Sequence, residues 1–526
     1  MAELGLLLRD AQVVDGTGRP PFHADVAVEG DRIVEVGRLD GATARREIPA
    51  VGRVLCPGFI DVHSHSDLPL LAEPHLQAKL RQGVTTELLG ADGLSYAPLS
   101  PERLGEVRRY LAGIYGNPTD LAIDSESVSS FLGQFDRRVA TNVFYVVPHQ
   151  ALRLQVRGWQ GGRASDSELE QMCALLRRGL AEGAVGLGTG LDYFPHGTCT
   201  TTELVTLCRV VAEANGVLVI HVRYIEIGVL AAVREAIEIA ERSGVKVLIS
   251  HLRNPEALPM IDAARARGLD VQFDTYPYSA GNSTMLAFIP YWVHEGGPDQ
   301  LRERLADPGA RRRLAAEPHP RLRRDLDTIL VTTVGPAEHL TDYEGQSLAW
   351  IMHGRAQTDP VEAVCDLLLE TDLAIGWIGF SGTETELQTC LRHPAHLVST
   401  DGCLVGGKPH PRGWGTYPRM LGRYVRDLEM LSLETCVRKM TSAPAACFGL
   451  VDRGLVQAGY AADLVLFDPL TVADRASFDD PKQYPVGISH VVVNGQLVLD
   501  DGQPTDALAG RALTPRVVSQ SAGLSR

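Results

Sequence analysis

The amino-acid sequence predicts an α/β fold, a closed (β/α)8 barrel with a small β-sandwich domain built from both chain ends and an insertion before the last barrel strand. Eight short apolar, β-branched runs recur between about residues 58 and 401, with helical patterns between most of them. Eight alternations of strand and helix favour a closed barrel over an open sheet. The predicted strands end near His65, Gly90, His149, Gly190, His221, His251, Tyr276 and Asp401.

The intervening helices are predicted from apolar residues at helical spacing, at residues 166–182, 202–215, 227–243 and 255–267. The interval between Tyr276 and Ala395 is too long for one helix and contains helix-like residues 301–306 and 360–370 and strand-like residues 328–334. We therefore expect an insertion at about residues 284–357, which can cover the barrel mouth as a lid.

The two chain ends have a different pattern. Residues 5–56 and 453–502 carry short alternating strands broken by turns. Neither end has enough strands for a stable sheet of its own. We therefore expect one small β domain assembled from residues 1–56 and 453–526, beside a barrel that spans residues 57–452.

Composition restricts the class of function. The chain has 526 residues, and 50 basic against 65 acidic side chains give a formal charge of −15. This balance disfavours nucleic acid or an anionic membrane surface as a partner and favours a small molecule. Nine scattered cysteines without a Cys-x-x-Cys pair fit reduced thiols. With no signal-peptide pattern and no membrane-length apolar run, we expect a cytoplasmic protein; the sequence leaves the oligomeric state open.

The most informative segment is the apolar run that ends in His63-Ser64-His65. Side chains two apart on a strand point to the same face, so both imidazoles can bind one metal ion. Three further strand-like runs also end in a ligand-type residue, at His221, His251 and Asp401. Because barrel active sites lie at the carboxyl ends of the strands, these side chains are expected to converge.

The chain resembles the amidohydrolase superfamily, and within it the N-acyl-D-amino-acid deacylases (D-aminoacylases), over nearly its whole length. The segments that carry this resemblance are residues 57–67, 83–86, 186–193, 221–223, 250–251, 276–278, 399–402, 410–419 and 459–465. The resemblance implies a TIM-barrel hydrolase in which His63, His65 and Asp401 surround one metal position while His221 and His251 hold another. It also implies one or two zinc ions, or another divalent metal, and a catalytic role for Asp401 in transferring the proton of water to the leaving amine.

Asp92 departs from the pattern of that family. Where many D-aminoacylases have a cysteine on the metals in Gly-Asn-Cys-Gly-Phe-Ser, this chain reads Gly90-Ala91-Asp92-Gly93-Leu94-Ser95. A carboxylate can also bridge two cations, although it is a harder ligand than a thiolate. We expect Asp92 to be a metal ligand; the alternative is a turn residue before Gly93.

Substrate contacts are also implied by the resemblance. Tyr193 and Tyr276 are expected near the scissile amide or the substrate carboxylate, and Arg253 takes the place of a carboxylate-binding lysine. Arginine suits a carboxylate because of its planar fork. His149, at the predicted end of strand three, is expected to orient the substrate or to have a structural role.

The leading hypothesis is metal-dependent hydrolysis of a linear amide, the deacylation of a small-molecule N-acyl-D-amino acid. A second hypothesis is another amidohydrolase acting on a dipeptide, lactam or carbamate, and a third is a metal-free scaffold. Residues 184–190, the predicted fourth strand, contain no lysine. Hydantoinase-like enzymes bridge their metals with a carbamylated lysine there, so that route is disfavoured.

Overall fold

The computed structural model describes residues 4–323 and 325–515. Residues 1–3 and 516–526, which the prediction assigned to the small β domain, lie outside the described residues. The strands are β1 Leu4–Val13, β2 Phe22–Glu29, β3 Arg32–Gly37, β4 Ala44–Pro49, β5 Val54–Pro57, β6 Phe59–Asp61, β7 Val84–Leu89, β8 Asn142–Pro148, β9 Gly186–Gly190, β10 Val217–His221, β11 Lys246–Ile249, β12 Val271–Thr275, β13 Ala280–Thr284, β14 Ile329–Thr333, β15 Gly376–Phe380, β16 His396–Val398, β17 Leu464–Phe467, β18 Ile488–Val493, β19 Gln496–Asp500 and β20 Gln503–Pro504.

The α-helices are α1 Pro69–Ala72, α2 Gln77–Leu80, α3 Pro101–Tyr110, α4 Ala112–Tyr115, α5 Val128–Gly133, α6 His149–Arg157, α7 Asp166–Ala181, α8 Thr201–Glu213, α9 Tyr224–Ile227, α10 Val229–Ser243, α11 Leu258–Ala266, α12 Tyr291–His294, α13 Pro298–Ala306, α14 Pro308–Ala316, α15 Leu348–Gly354, α16 Pro360–Glu370, α17 Glu384–Arg392, α18 Arg412–Arg419, α19 Leu433–Met440 and α20 Ser442–Phe448. The predicted helices correspond to α7, α8, α10, α11, α13 and α16. Local signals define their ends: Ser165 caps α7 by accepting a hydrogen bond from the Glu168 amide, and the Glu168 carboxylate accepts one from the Ser165 amide.

Eight parallel strands form the barrel, in the order β6, β7, β8, β9, β10, β11, β12 and β16. β7 and β8 are buried along their whole length, as expected for parallel strands covered on both faces. The barrel closes where the Asp401 amide donates to the His63 carbonyl over 2.8 Å, beside a parallel bridge between Ser64 and Gly402. The predicted (β/α)8 barrel is confirmed.

The small β domain draws strands from both chain ends into one branched sheet. β5 pairs with β1 on one side and with β17 on the other, so the two ends of the chain meet at this strand. Asp463 fastens the domain to the barrel, because its carboxylate accepts hydrogen bonds from Asn142 in β8 and from the Asn494 amide and pairs with Arg453. Assembly from both ends, expected because each end alone has too few strands, is what the structure shows.

Between β12 and β16 the chain forms a three-stranded antiparallel sheet in the order β13, β15, β14. The predicted insertion at residues 284–357 contains β14 and four α-helices, whereas β13 ends at its boundary and β15 follows it. This sheet contributes to the wall of the cavity at the barrel mouth through Asn282, Ser283 and Trp377. The carboxyl ends of the barrel strands therefore lie beneath the sheet formed by β13, β14 and β15, between the last two barrel strands in sequence.

Within residues 4–323 and 325–515, no helix combines the length and the apolar composition needed to cross a bilayer.

Candidate metal centre and active site

His63 and His65 follow β6 at the carboxyl end of the barrel. The Nε2 atom of His63 lies 3.5 Å from Asp92 Oδ1 and 3.5 Å from Asp401 Oδ1. The Nε2 atom of His65 lies 3.2 Å from the same Asp401 oxygen and 3.9 Å from Asp92 Oδ2. The two histidines therefore face one pair of carboxylates, although both lie beyond Asp61, where β6 ends.

His221 and His251, from the ends of β10 and β11, complete the cluster from the opposite side. His221 Nδ1 lies 2.9 Å from His251 Nε2 and 3.7 Å from Asp92 Oδ2, and His251 Nε2 lies 3.8 Å from Asp92 Oδ1. Asp92 thus contacts four imidazoles within 4 Å, which places it at the centre of the cluster. The structure brings together all six residues expected to ligate metal.

Three of these six residues have left-handed backbone conformations. The φ angles are 56° at Asp92, 39° at His251 and 48° at Asp401. Such conformations cost on the order of 1–3 kcal/mol each and persist where the surrounding structure requires them. Here they turn side chains at strand ends toward one point, which is consistent with a functional site.

Buried polar atoms without partners indicate space for a cation. Both ring nitrogens of His63 and Oδ1 of Asp92 are buried and have no hydrogen-bond partner among the described residues. A buried polar atom left in this state costs about 1–3 kcal/mol. The ligand atoms of His63, His65 and Asp92 lie within 4.8 Å of one another, as do those of Asp92, His221 and His251, and those of His63, His251 and Asp401. Imidazole and carboxylate donors in this number fit zinc or a similar divalent ion.

The electrostatics of the cluster also favour a cation. Burial lowers the pKa of His63, but the surrounding carboxylates, led by Asp92 and Asp401, raise it well above its ordinary value. Burial raises the pKa of Asp92, yet His63 and His221 hold it well below its usual range. Carboxylates that attract a proton to a buried imidazole attract a metal ion for the same Coulombic reason.

Further residues orient the cluster. Asp192 Oδ2 lies 3.0 Å from His221 Nε2, and the Tyr115 hydroxyl lies 3.3 Å from His65 Nδ1. Asp274 Oδ1 accepts the His251 amide, and its other oxygen lies 3.6 Å from His63 Nδ1. Partners of this kind fix the tautomer and direction of metal-binding imidazoles.

Arg412 neutralises Asp401. Its Nη1 lies 2.8 Å from Asp401 Oδ2, and its guanidinium carbon lies 4.3 Å from the centre of the Tyr276 ring. Burial raises the pKa of Asp401, but Arg412 is the main group that lowers it below its ordinary value. Asp401 is therefore held ionised, with Oδ1 facing the histidines and Oδ2 facing the arginine.

A cavity lies above the cluster, and its wall includes Tyr193, Arg253 and Tyr276, the residues that the family resemblance implies as substrate contacts. Tyr193 shares a hydrogen bond of 3.1 Å with Ser283 Oγ. Arg253 donates to the Tyr278 carbonyl over 3.2 Å, and its guanidinium carbon lies 5.2 Å from the Tyr276 ring centre.

His149 has a different position from the one expected of a substrate contact. It begins α6 instead of ending a strand, is fully buried and is absent from the cavity wall. Its Nδ1 lies 3.0 Å from Thr189 Oγ1 and its Nε2 lies 3.0 Å from Glu203 Oε1. With both ring nitrogens occupied by protein groups, the geometry favours the structural alternative.

The sequence interpretation missed several residues that shape the site. Asp192 lies in the family-like segment 186–193, next to Tyr193, and Arg412 lies in the family-like segment 410–419. Membership of these segments is the sequence signal that could have identified both residues. Arg321 and Trp377 lie in the wall of the cavity and come from the chain between β12 and β16. No local pattern identifies these two residues.

Comparison with known proteins is consistent with this geometry. Residues 46–499 match the family model described as Amidohydrolase family. The chain is 35% identical to D-aminoacylase and 36% identical to N-acyl-D-glutamate deacylase, both from Alcaligenes xylosoxydans xylosoxydans. These alignments cover 97% of both chains for D-aminoacylase, and 96% of this chain and 95% of the relative for the glutamate deacylase.

A solved structure has the same architecture. The crystal structure of N-acyl-D-glutamate deacylase from Bordetella bronchiseptica, in complex with zinc and a phosphonate inhibitor that mimics the tetrahedral intermediate, matches with a TM-score of 0.84. The match has 33% sequence identity and covers 97% of this chain and 100% of that one. The chain described here belongs to the amidohydrolase family.

Proposed function

We propose that this protein is a metal-dependent deacylase of N-acyl-D-amino acids, with one or two zinc ions or a similar divalent metal as cofactor. The observation that carries the proposal is the convergence of six ligand-type side chains beneath a cavity whose wall presents Arg253 and Tyr193. The proposed ligands are His63, His65, Asp92, His221, His251 and Asp401.

Asp401 is proposed to move the protons of the reaction. Because Arg412 holds the Asp401 carboxylate ionised, it can accept a proton from the attacking water and deliver it to the leaving amine. A divalent metal, when bound, supplies Lewis-acid polarisation of the scissile carbonyl and lowers the pKa of water. The ion pair with Arg412 also fixes the carboxylate so that only Oδ1 faces the histidines.

Arg253 and Tyr193 are proposed to orient the substrate. The Arg253 guanidinium donates one hydrogen bond to the protein, to the Tyr278 carbonyl, which leaves N–H groups for the substrate's α-carboxylate. Burial, and next the charge of Asp92, raise the pKa of Tyr193 well above its ordinary value. Tyr193 therefore stays protonated and can donate to the developing oxyanion. The Tyr276 ring contacts the guanidinium groups of both Arg253 and Arg412 and helps to hold them in place.

A hydrolysis screen tests this function. The purified chain, loaded with zinc, is incubated with N-acetyl-D-amino acids and N-acetyl-L-amino acids, and the released amino acid is measured. We expect release from the D-substrates that is lost with a chelator and restored by zinc. Elemental analysis of the same sample and the Asp401→Asn variant are the controls. Protein that holds metal yet releases no amino acid from any substrate contradicts the deacylase proposal, and protein that binds no metal supports the scaffold alternative.

We also propose a cytoplasmic location for the enzyme. All nine cysteines are buried free thiols, which suits a reducing compartment. Fractionation of the native host with an antibody to the chain tests this proposal.

A further inference from the structure

The chain between β12 and β16 brings a second arginine to the cavity. Arg321 lies in the cavity wall together with Trp377 and Tyr224. Its guanidinium carbon lies 4.6 Å from the Trp377 ring centre, and Nη2 donates to the Tyr224 hydroxyl over 2.8 Å. The aromatic ring and the phenol hold this side chain in one position without neutralising its charge.

The three arginines near the site differ in their partners. Arg412 is paired with Asp401 and is neutralised. Within residues 4–323 and 325–515, neither Arg253 nor Arg321 forms an ion pair with a carboxylate, and each guanidinium donates one hydrogen bond, to a carbonyl and to a phenol respectively. Arginine stays charged at any physiological pH and offers five N–H donors. The cavity thus presents two unpaired cations in a chain whose formal charge is −15.

The antiparallel sheet relates Arg253 to the Trp377 indole on which Arg321 stacks. Gly281 pairs with Gly379, and Ser283 pairs with Trp377. A Cβ atom on Gly281 would lie 3.4 Å from Arg253 Nη2, and one on Gly379 would collide with the Trp377 indole. Because paired residues and residues two apart share a face of the sheet, Arg253 and the Trp377 indole lie over the same face. Arg321 stacks on that indole, and both guanidinium groups line the wall of the cavity.

We propose that Arg321 is a specificity-determining residue, and that the preferred substrates are N-acyl-D-amino acids with a second carboxylate in the side chain. This inference rests on the proposed deacylase function. Arg253 takes the α-carboxylate, and Arg321 takes the side-chain carboxylate. A monoanionic substrate leaves one cation in the cavity wall without a counter-charge, whereas a dianionic substrate satisfies both.

The test compares substrates that differ in one charge. Zinc-loaded full-length protein is assayed with N-acetyl-D-glutamate, with its neutral near-isostere N-acetyl-D-glutamine, and with N-acetyl-D-aspartate. We expect kcat/KM for at least one of the two acidic substrates to exceed that for the glutamine derivative by about 10- to 100-fold, the range that a hydrogen bond to a charged group supports. Arg321→Met should remove this ratio with little change for N-acetyl-D-glutamine, and Arg321→Lys should retain part of it.

Arg313→Met is the matched control. Arg313 also stacks on a tryptophan, 4.0 Å from the centre of the Trp292 ring, but it lies in α14 and outside the cavity wall. This variant should keep the acidic preference. Arg253→Met, by contrast, should raise KM for acidic and neutral substrates alike.

Two results overturn the inference. If wild-type protein hydrolyses N-acetyl-D-glutamine with the same kcat/KM as both acidic substrates, the site does not recognise a second carboxylate. An Arg321→Met variant that loses activity on neutral and acidic substrates by the same factor shows that Arg321 has no role in specificity. In both cases hydrolysis itself is retained, so these results are distinct from the failure of the deacylase proposal, in which wild-type protein hydrolyses none of the substrates.

Discussion

Asp192 fixes the orientation of His221: its Oδ2 lies 3.0 Å from Nε2, so Nδ1 is the nitrogen that faces Asp92 and His251. Asp192 lies two residues after the end of β9, and His221 is the last residue of β10. The contact therefore joins neighbouring strands of the barrel at their carboxyl ends. A hydrogen bond to the far nitrogen selects the tautomer of an imidazole that binds metal.

Asp192→Asn should therefore weaken zinc binding by about 10- to 100-fold, the usual effect of losing such a partner. Competition with a zinc chelator measures this change. Asp262→Asn is the matched control, since Asp262 lies 3.1 Å from His393 in a pair outside the cluster. Equal zinc affinity in both variants and wild type would show that the Asp192 contact does not support the metal centre.

Asp92→Asn tests whether Asp92 is a metal bridge. Asparagine tolerates the left-handed backbone found at this position, where φ is 56°, so the variant removes the charge without adding backbone strain. We expect the loss of at least one metal ion and of activity, while Asp92→Cys keeps a zinc ion through its thiolate. Metal stoichiometry beside wild type is the measurement. If Asp92 is instead only a turn residue, the variant should keep its metal content and kcat and lose at most about 1 kcal/mol of stability.

Asp401→Asn should retain the fold and much of the bound metal, because the amide oxygen of asparagine can still accept a hydrogen bond from Arg412. Its kcat should fall by at least about 10²- to 10⁴-fold, the contribution of general acid–base catalysis. Steady-state kinetics with elemental analysis of the same preparation measures both effects. Retention of more than about a tenth of wild-type kcat removes Asp401 from the proton-transfer role.

Tyr193→Phe should lower kcat and leave metal content unchanged, whereas His221→Ala should lower metal content, because a phenol donates to substrate and an imidazole holds the ion. Kinetics and metal analysis of both variants measure the contrast. Ser283→Ala is the control, since it removes the hydrogen-bond partner of Tyr193 and keeps the phenol. A kinetically silent Tyr193→Phe variant would exclude Tyr193 from the scissile bond.

Glu203 should make stability depend on acid pH. Burial raises the pKa of Glu203, but His149 and Arg153 lower it from 4.5 to about 2. A carboxyl group whose pKa is lowered by folding stabilises the folded state at pH values above its pKa in the unfolded chain. For Glu203 this contribution is on the order of 3 kcal/mol and is lost as the pH falls from 4.5 toward 2. Urea unfolding at a series of pH values measures the loss.

Glu203→Gln should lower the free energy of unfolding by about 3–5 kcal/mol at neutral pH, because it leaves the fully buried Arg153 unpaired. The difference in unfolding free energy between the variant and wild type should become smaller as the pH is lowered. Glu238→Gln is the control, since Glu238 pairs with Arg242 at the surface, where a pair contributes at most about 1 kcal/mol. Equal stability losses in the two variants would contradict a special role for the buried pair.

The sequence alone determined the barrel, the two-ended β domain and the convergence of the histidines with Asp401. Each of these follows from a local pattern: apolar strands alternate with helices, and residues at the carboxyl ends of barrel strands meet at one face whatever the loops do. For the same reason Asp92 could be placed with the five other ligand-type residues, although its chemistry departs from the family pattern.

Only the tertiary structure decided which side chains support and surround that cluster. The pairing of Arg412 with Asp401, the contact of Asp192 with His221 and the position of His149 in α6 depend on side-chain directions that periodicity does not encode. Arg321 reaches the cavity because a sheet assembled from β13, β14 and β15 packs over the barrel mouth. Contacts between segments this far apart in sequence are set by packing of the whole chain, which is why no local pattern revealed the second unpaired arginine.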